Sequence, residues 1–505
     1  MGRLTLSMIV RNEENRLRDC LESIKNIADE MVIVDTGSTD QTLEIARQYN
    51  AKIYHFDWVN DFSAARNFAL SKSTGKWILY LDADERLKAD SVPLVSSIIN
   101  KEEKTGCRCE VISKNSFRNS SQIMRYTRLF FNTPGIKFTG TFHEQIENSL
   151  LANNYSLCSP DIQIDHIGYD LSDADIRTKA ERNLFYLLKE YSQNSSSYNA
   201  YQIGNTYQIL NDEQKAYDYY SRTITDELFS AEYKSICYLH MSSYELSMHQ
   251  LDQAAEYCNK GLIANTYLPQ LYLISSEINF RKGNISDACA DCLKAYELNR
   301  KIINKEHKSS QITTSFDVKK PLYQGLYISI SASETEWINR FIILLRQTAP
   351  SECELIEKLF SNEIFSEEKR IEFFKIITKD NLQCLLAILG KYEHPDKILF
   401  IADYVSENFP ENSKVLTFCG KCYSQAGEKQ KAKIYYERAL EVSVKDPSAA
   451  FYLISVLLEM NEFSEIPQII TFIQKEFRQI PEVMNRIIVL QNKLQYFFDS
   501  TGQQT

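Results

Sequence analysis

Glycine and proline are scarce in this chain of 505 residues, at 15 and 11, about half their usual shares. Turns are therefore few relative to regular structure, and many helices are expected. Lys and Arg number 57 against 67 Asp and Glu, with no long basic run, so the net charge of -10 argues against a nucleic-acid partner. No stretch approaches the roughly 18–20 apolar residues that cross a bilayer, which excludes integral membrane contact and leaves the cytoplasm as the expected location. The opening MGRLTLSMIV is followed at once by charged RNEEN, so it reads as a first strand and not as an export signal. Twelve cysteines are scattered without the spacing of a disulfide framework and read as reduced thiols.

What the chain does contain is enough apolar material for more than one core. Hydrophobic residues make up 44% and charged residues 25%, a balance that excludes wholesale disorder, and the length calls for two or more domains. Up to about residue 85, short apolar runs alternate with amphipathic stretches. Strands are expected at Leu4–Val10, Met31–Val34, Lys52–His55 and Trp77–Leu81. Helices are expected at Glu14–Lys25, Thr39–Tyr49 and Phe62–Ser71. That alternation implies a mostly parallel sheet with ligands beyond its C-terminal strand ends, near Asn12, Asp35 and Asp82. Two β-rich runs between Cys109 and Phe131 predict an antiparallel pair, and hence a mixed sheet. Cys107 and Cys109 are expected on opposite faces of a strand.

The strongest chemical signal is WILYLDADE. Side chains alternate across a strand, so Asp82 and Asp84 are expected on one face with Ala83 on the other. Two carboxylates at a strand tip suit Mg2+ or Mn2+ bridging to substrate phosphates. VIVDTGSTDQT ends a strand at Asp35 and supplies Ser38, Thr39 and Asp40 as helix caps; SMIVRNEEN ends another at Val10 and brings Asn12 and Glu13 beside Asp35. The first strand is not followed by G-x-G-x-x-G, which disfavours a dinucleotide site.

In that order and spacing, S-x-I-V-R-N-E-E, I-V-D-T-G-S-T-D, N-D-F-S-A-A-R-N and Y-L-D-A-D-E resemble the family 2 glycosyltransferases of GT-A fold, over roughly residues 4 to 170. The resemblance implies an inverting transfer from a UDP-sugar. Val10, Asn12, Glu13, Asp35, Arg66, Asp82 and Ala83 would lie along the nucleotide-sugar, with Asp35 on the base and Asp82 toward the ribose, and Asp84 would lie on the metal. Arg66 and Asn67 would hold the nucleotide or the Asp-x-Asp strand. GIKFTGTFHEQI, with His143 and Glu144, and IQIDHIGYD, with His166, Gly168 and Tyr169, are similar to the branch in which tetratricopeptide-like helices follow the transferase, including bacterial peptide S-glycosyltransferases that make glycocins. Glu144 is then the candidate general base, with a structural carboxylate orienting His143 as the alternative. His166 is the candidate second metal ligand, with a packed histidine as the alternative.

Beyond about Tyr169 the periodicity is helical, and Ala216, Ala254 and Ala288 recur at tetratricopeptide-like spacing. Gly420, Tyr423, Ala432, Tyr436 and Ala439 hold the small and aromatic positions of one unit; Gly204, Tyr207, Ala216 and Tyr220 repeat the same offsets. The expected organisation is a transferase domain over 1–170, repeats over 171–302, an irregular helical segment over 303–410 with a long loop at HKSSQITTSFDVKKP, and repeats over 411–505. The C-x-x-C pairs Cys289/Cys292 and Cys419/Cys422 fall on repeat helices and read as packing residues, not metal ligands. The repeat tyrosines line a peptide groove or fill the interhelical core. An uncapped solenoid end predicts a homodimer.

The expected function is a metal-dependent transfer from a UDP-sugar to Cys, Ser or Thr of a peptide or protein. Two alternatives stand beside it: an acceptor among cell-envelope saccharides or lipid-linked glycans, and a tetratricopeptide scaffold with an inactive transferase domain.

Overall fold

The computed structural model describes residues 3–115, 120–141, 144–167, 173–304, 306, 312–359, 367–391, 395–443 and 447–501. They fall into two compact units, the first formed by 1–244, 255–271 and 297–317, the second by 245–254, 272–296 and 318–505.

The first unit begins as an alternation of strand and helix: β1 Leu4–Val10, α1 Leu17–Ile24, β2 Glu30–Asp35, α2 Thr42–Gln48, β3 Lys52–His55, α3 Phe62–Lys72 and β4 Trp77–Tyr80. Every expected strand and helix of this stretch is present, with ends moved by a few residues. β1 is buried almost throughout, as a central parallel strand covered on both faces must be. It pairs in parallel with β2 and β4, and β2 pairs in parallel with β3. Helix α3 starts where the Asp61 carboxylate accepts from the Ala64 amide at 3.0 Å, an N-cap that satisfies one of the first-turn donors.

Then come β5 Glu85–Leu87, α4 Val92–Ile98, β6 Thr105–Asn115, β7 Ser120–Phe131, α5 Glu147–Ala152, β8 Ser156–Cys158 and β9 Gln163–His166. β6 and β7 are antiparallel, β7 joins β4 antiparallel, and β9 runs beside β6 and pairs with β5. The strand order is β3-β2-β1-β4-β7-β6-β9-β5, a mixed sheet as expected. Cys107 and Cys109 do not face opposite sides. Both are buried in one core cluster with Leu79, Leu129 and Ile164, because residues two apart on a strand share a face. Each of the twelve cysteines is a free thiol.

Helices α6 Asp173–Gln193, α7 Ser197–Ile209, α8 Glu213–Ile224 and α9 Ala231–Ser247 follow, then α10 Leu251–Ala264, α11 Pro269–Arg281 and α12 Ile285–Ile303. α7 and α8 pack as an antiparallel pair around Gly204, where an added Cβ would meet the Tyr220 ring at 2.6 Å. The segment expected as a long loop contains β10 Ile312–Ser315, which adds antiparallel to the edge of β7.

The second unit continues with α13 Lys320–Ala332, α14 Thr335–Thr348, α15 Pro350–Leu359, α16 Glu367–Ile376, α17 Leu382–Lys391, α18 Pro395–Asn408, α19 Ser413–Gln425, α20 Lys429–Val442, α21 Ser448–Met460, α22 Ile466–Glu476 and α23 Pro481–Thr501. Gly420 of α19 lies against Tyr436 of α20, and Gly325 of α13 lies against Phe341 of α14. In all three glycine–aromatic pairs the ring stands sixteen residues after the glycine. The pair Gly325–Phe341 thus places a repeat-like contact inside the stretch that reads as off-register, where Phe replaces the Tyr that marks the other two. Cys289, Cys292, Cys419 and Cys422 are buried in the core of this unit. Among the described residues no helix is long and apolar enough to cross a membrane.

Candidate functional site

The Asp-x-Asp residues occupy a turn and not the strand itself. β4 ends at Tyr80, and the Glu85 amide donates back to the Asp82 carbonyl at 2.9 Å. Turn geometry, in place of strand alternation, therefore sets the two carboxylates: Asp82 points to Arg66 and Arg128, Asp84 to His166, and Ala83 is buried in the core beneath.

Arg66, on α3, is 5% exposed and holds two carboxylates at once. Its Nη2 donates to Asp82 Oδ1 at 2.7 Å and its Nε to Glu144 Oε1 at 2.5 Å. The guanidinium lies 5.1 Å from the centre of the Tyr80 ring and 5.9 Å from that of Phe138. A buried arginine is tolerable only when paired in this way. Burial pushes the Asp82 carboxyl up, but the Arg66 and Arg128 guanidiniums outweigh it and hold the group well below the usual carboxylate range. Asn67, next on α3, donates to the Phe138 carbonyl at 3.0 Å and accepts from the Phe138 amide at 2.7 Å. It fixes the backbone that leads to Glu144.

Asp84 and His166 meet at 3.3 Å between Oδ2 and Nε2. The other ring nitrogen of His166 lies 3.0 Å from Ser113 Oγ on β6, and the Ile167 amide donates to the Asp84 carbonyl at 2.9 Å. Burial raises Asp84, and the hydrogen bond and charge of His166 reverse that, leaving it lowered. Burial, then the Asp84 charge, raise the Glu13 carboxyl, whose buried Oε2 lies 3.6 Å from Arg16 Nη1. Among the described residues no three His, Cys, Asp or Glu side chains converge as a metal cage. His143, Gly168 and Tyr169 lie outside the described residues.

The first two strand ends form a joined loop pair. Asn12, in left-handed conformation at φ 56°, donates its amide to Ser38 Oγ at 3.0 Å and accepts from the Thr39 amide at 2.8 Å. The Glu13 amide donates to Thr42 Oγ1 at 2.7 Å, and the Val10 carbonyl accepts from the Thr36 amide at 3.0 Å. Asp35 is buried, accepts from the Ser38 amide at 2.9 Å, and has its second oxygen 3.2 Å from His55 Nδ1.

Asp82, Glu144 and His166 line one cavity of about 330 Å3 on the β6–β7 side of the sheet. Three of its lining groups are absent from the sequence reading. Arg128, on β7, donates Nη2 to Glu85 Oε1 at 2.6 Å and lies 3.4 Å from Asp82 Oδ2. Tyr198 of α7 and Tyr233 of α9 reach the same cavity from the helical part of the chain. A signal for Arg128 and Glu85 did exist: a charge within an apolar strand, as in TRLFF, is rarely buried unless it is paired.

Residues 5–158 match the family model for glycosyl transferase family 2, and residues 414–443 match that for the tetratricopeptide repeat. A TPR repeat-containing protein of Synechococcus elongatus is 39% identical over 188 residues, 36% of this chain and 46% of that protein. The SPbeta prophage-derived glycosyltransferase SunS of Bacillus subtilis is 24% identical over 349 residues, 66% of this chain and 78% of that protein. An uncharacterized glycosyltransferase of Rickettsia prowazekii is 25% identical over 194 residues, 37% of this chain and 66% of that protein. The match thus spans less than half the length of the Synechococcus relative.

Proposed function

We propose, from a family 2 glycosyltransferase domain followed by tetratricopeptide-like helices, an inverting transfer of a sugar from a UDP-sugar to a side chain of a peptide or protein. The observation that carries it is the single guanidinium of Arg66 bound to both Asp82 and Glu144 at the wall of one cavity. The shared arginine sets the carboxylate expected at the donor and the carboxylate expected at the acceptor at a fixed separation. In the transfer, Glu144 takes the proton from the acceptor hydroxyl or thiol while that oxygen or sulfur bonds the anomeric carbon. The bond from that carbon to the diphosphate breaks, and UDP leaves with the electron pair.

Asp84 and His166 fit a divalent cation such as Mg2+ or Mn2+: a hard oxygen and a ring nitrogen stand 3.3 Å apart. Two protein ligands without a third suit a cation that takes the rest of its shell from substrate phosphates. When bound, such an ion offsets charge developing on the departing diphosphate. Asp35, buried at the end of β2, and the Asn12–Thr39 clasp suit the nucleotide side of the crevice. The peptide acceptor is favoured over a saccharide because Tyr198 and Tyr233 bring helices of a polypeptide-binding type of architecture to the cavity wall.

The test is turnover of a panel of UDP-sugars by the purified chain with Mn2+, with Mg2+ and with a chelator, alongside Asp84→Ala. Donor turnover that the chelator and Asp84→Ala both abolish is the expected result. Unchanged turnover in either case refutes the metal assignment.

A further inference from the structure

The cavity holds one cationic side chain whose role the transfer scheme leaves open. Arg128 is 9% exposed and lines the same cavity as Asp82 and Glu144. Its guanidinium lies 4.5 Å from the centre of the Tyr80 ring, the same ring that Arg66 faces. Both of its hydrogen bonds come from Nη2, to Glu85 Oε1 and Asp82 Oδ2; among the described residues Nη1 has no protein acceptor, and Nε is buried without one. Glu85 is 1% exposed, and its other carboxylate oxygen accepts from the Asp82 amide at 3.1 Å. The arginine is thus anchored through Nη2 by a carboxylate that is almost wholly buried, which leaves its Nη1 edge free.

This pairing decides what the free edge can bind. A guanidinium matched by a buried carboxylate presents little net charge, so it is poorly suited to a diphosphate and well suited to neutral oxygen acceptors in fixed directions. In the transfer proposed above, the volume beside both Asp82 and Glu144 belongs to the group that moves between donor and acceptor. Resting on that reading, we infer that Arg128, oriented by Glu85, binds hydroxyl oxygens of the transferred sugar and takes part in donor-sugar selection. Arg66, by contrast, has its donors turned to Asp82 and Glu144 and sets the two carboxylates without this task.

The experiment compares the affinities of UDP, UDP-glucose and UDP-N-acetylglucosamine for the full chain by calorimetry with Mn2+. It uses the wild type, Arg128→Lys, and the double variant Arg128→Met with Glu85→Gln. The double change removes both charges together, because Arg128→Met alone would strand a buried carboxylate and endanger folding; a thermal melt checks that the double variant is folded. The expected result is a UDP affinity within about threefold of wild type, and a ratio of UDP-sugar to UDP affinity that falls about tenfold for the preferred sugar, the scale of a lost charge-assisted hydrogen bond. Arg128→Lys, which keeps the charge but loses the fork, should fall between. An unchanged ratio in the folded double variant overturns the inference alone. A UDP affinity that falls by as much as the UDP-sugar affinity also overturns it, since Arg128 would then serve the nucleotide. A wild-type chain that binds no UDP overturns the transferase reading and this inference with it.

Discussion

The cavity wall on the sheet and the repeat helices are shaped by opposite kinds of contact. At the sheet, the decisive contacts join charges far apart in sequence: Arg66 to Glu144 across 78 residues and Arg128 to Glu85 across 43. In the helices, the decisive contacts are local and apolar, a glycine under an aromatic ring sixteen residues on, three times over. A repeat needs only its neighbour to bury its face. A cavity lined by charges needs groups of opposite sign brought to one point, and that takes strands from several places in the chain.

The comparison breaks first at Arg66. Arg66→Met leaves Asp82 and Glu144 facing each other without their shared cation; the loss of a buried pair costs roughly 3–5 kcal/mol, and about 3 is expected here because the Asp82 side chain is 36% exposed. Denaturant titration of the full chain reads this. A loss below about 1 kcal/mol would mean that the sheet does not depend on the charge network.

Glu144→Gln keeps the shape and one acceptor for Arg66 but removes the base. Transfer should drop by roughly 10²-fold or more, the usual scale for general-base catalysis, with UDP affinity little changed. Equal losses of both would make Glu144 a structural carboxylate, as the alternative reading of the sequence has it.

The helices answer to a different change. Gly420→Ala gains about 1 kcal/mol of helix propensity, but the new Cβ would stand 2.5 Å from the Tyr436 ring, and overpacking of that kind costs roughly 1–3 kcal/mol. A net loss of about 1 kcal/mol is expected, with Tyr436→Leu in the same chain recovering part of it. Stabilisation by Gly420→Ala alone would show that the two helices do not need their close approach.

A last effect sharpens the contrast through pH. Burial pushes the Glu30 carboxyl up, yet hydrogen bonds from Lys52, Thr5 and Thr74 outweigh it and bring the group from its ordinary 4.5 down to about 2. A carboxylate lowered in the folded state contributes stability that is complete above its unfolded value and is lost as pH falls through the folded one. Stability should therefore decline between about pH 4.5 and 2, and Glu30→Gln should flatten that decline. An identical pH profile for the variant would remove Glu30 from the acid limb.

The two regions also differ in how far the sequence discloses them. The alternation of Leu4–Val10 and its successors is a local property, so the strands and helices of the first 85 residues were legible nearly to their ends. Gly204–Tyr220 and Gly420–Tyr436 were legible for the same reason; Gly325–Phe341 was hidden only because a phenylalanine stands in the tyrosine's place. The strand β10 escaped notice because ITTS is short and gains its order from the edge of β7, a partner nearly two hundred residues earlier.

By itself, then, the sequence determined the residue types of the site, the order of elements around them and the pairing rule of the helices, since each depends on neighbours within about sixteen residues of chain. Only the tertiary structure decided that Asp82 and Asp84 leave a turn in different directions, that Glu144 shares an arginine with Asp82, and that Arg128, Tyr198 and Tyr233 stand in the same cavity. The physical reason is the strand order β3-β2-β1-β4-β7-β6-β9-β5. It crosses the chain order, so the groups that meet are set by which strands pair, and pairing over such distances leaves no local periodicity to read.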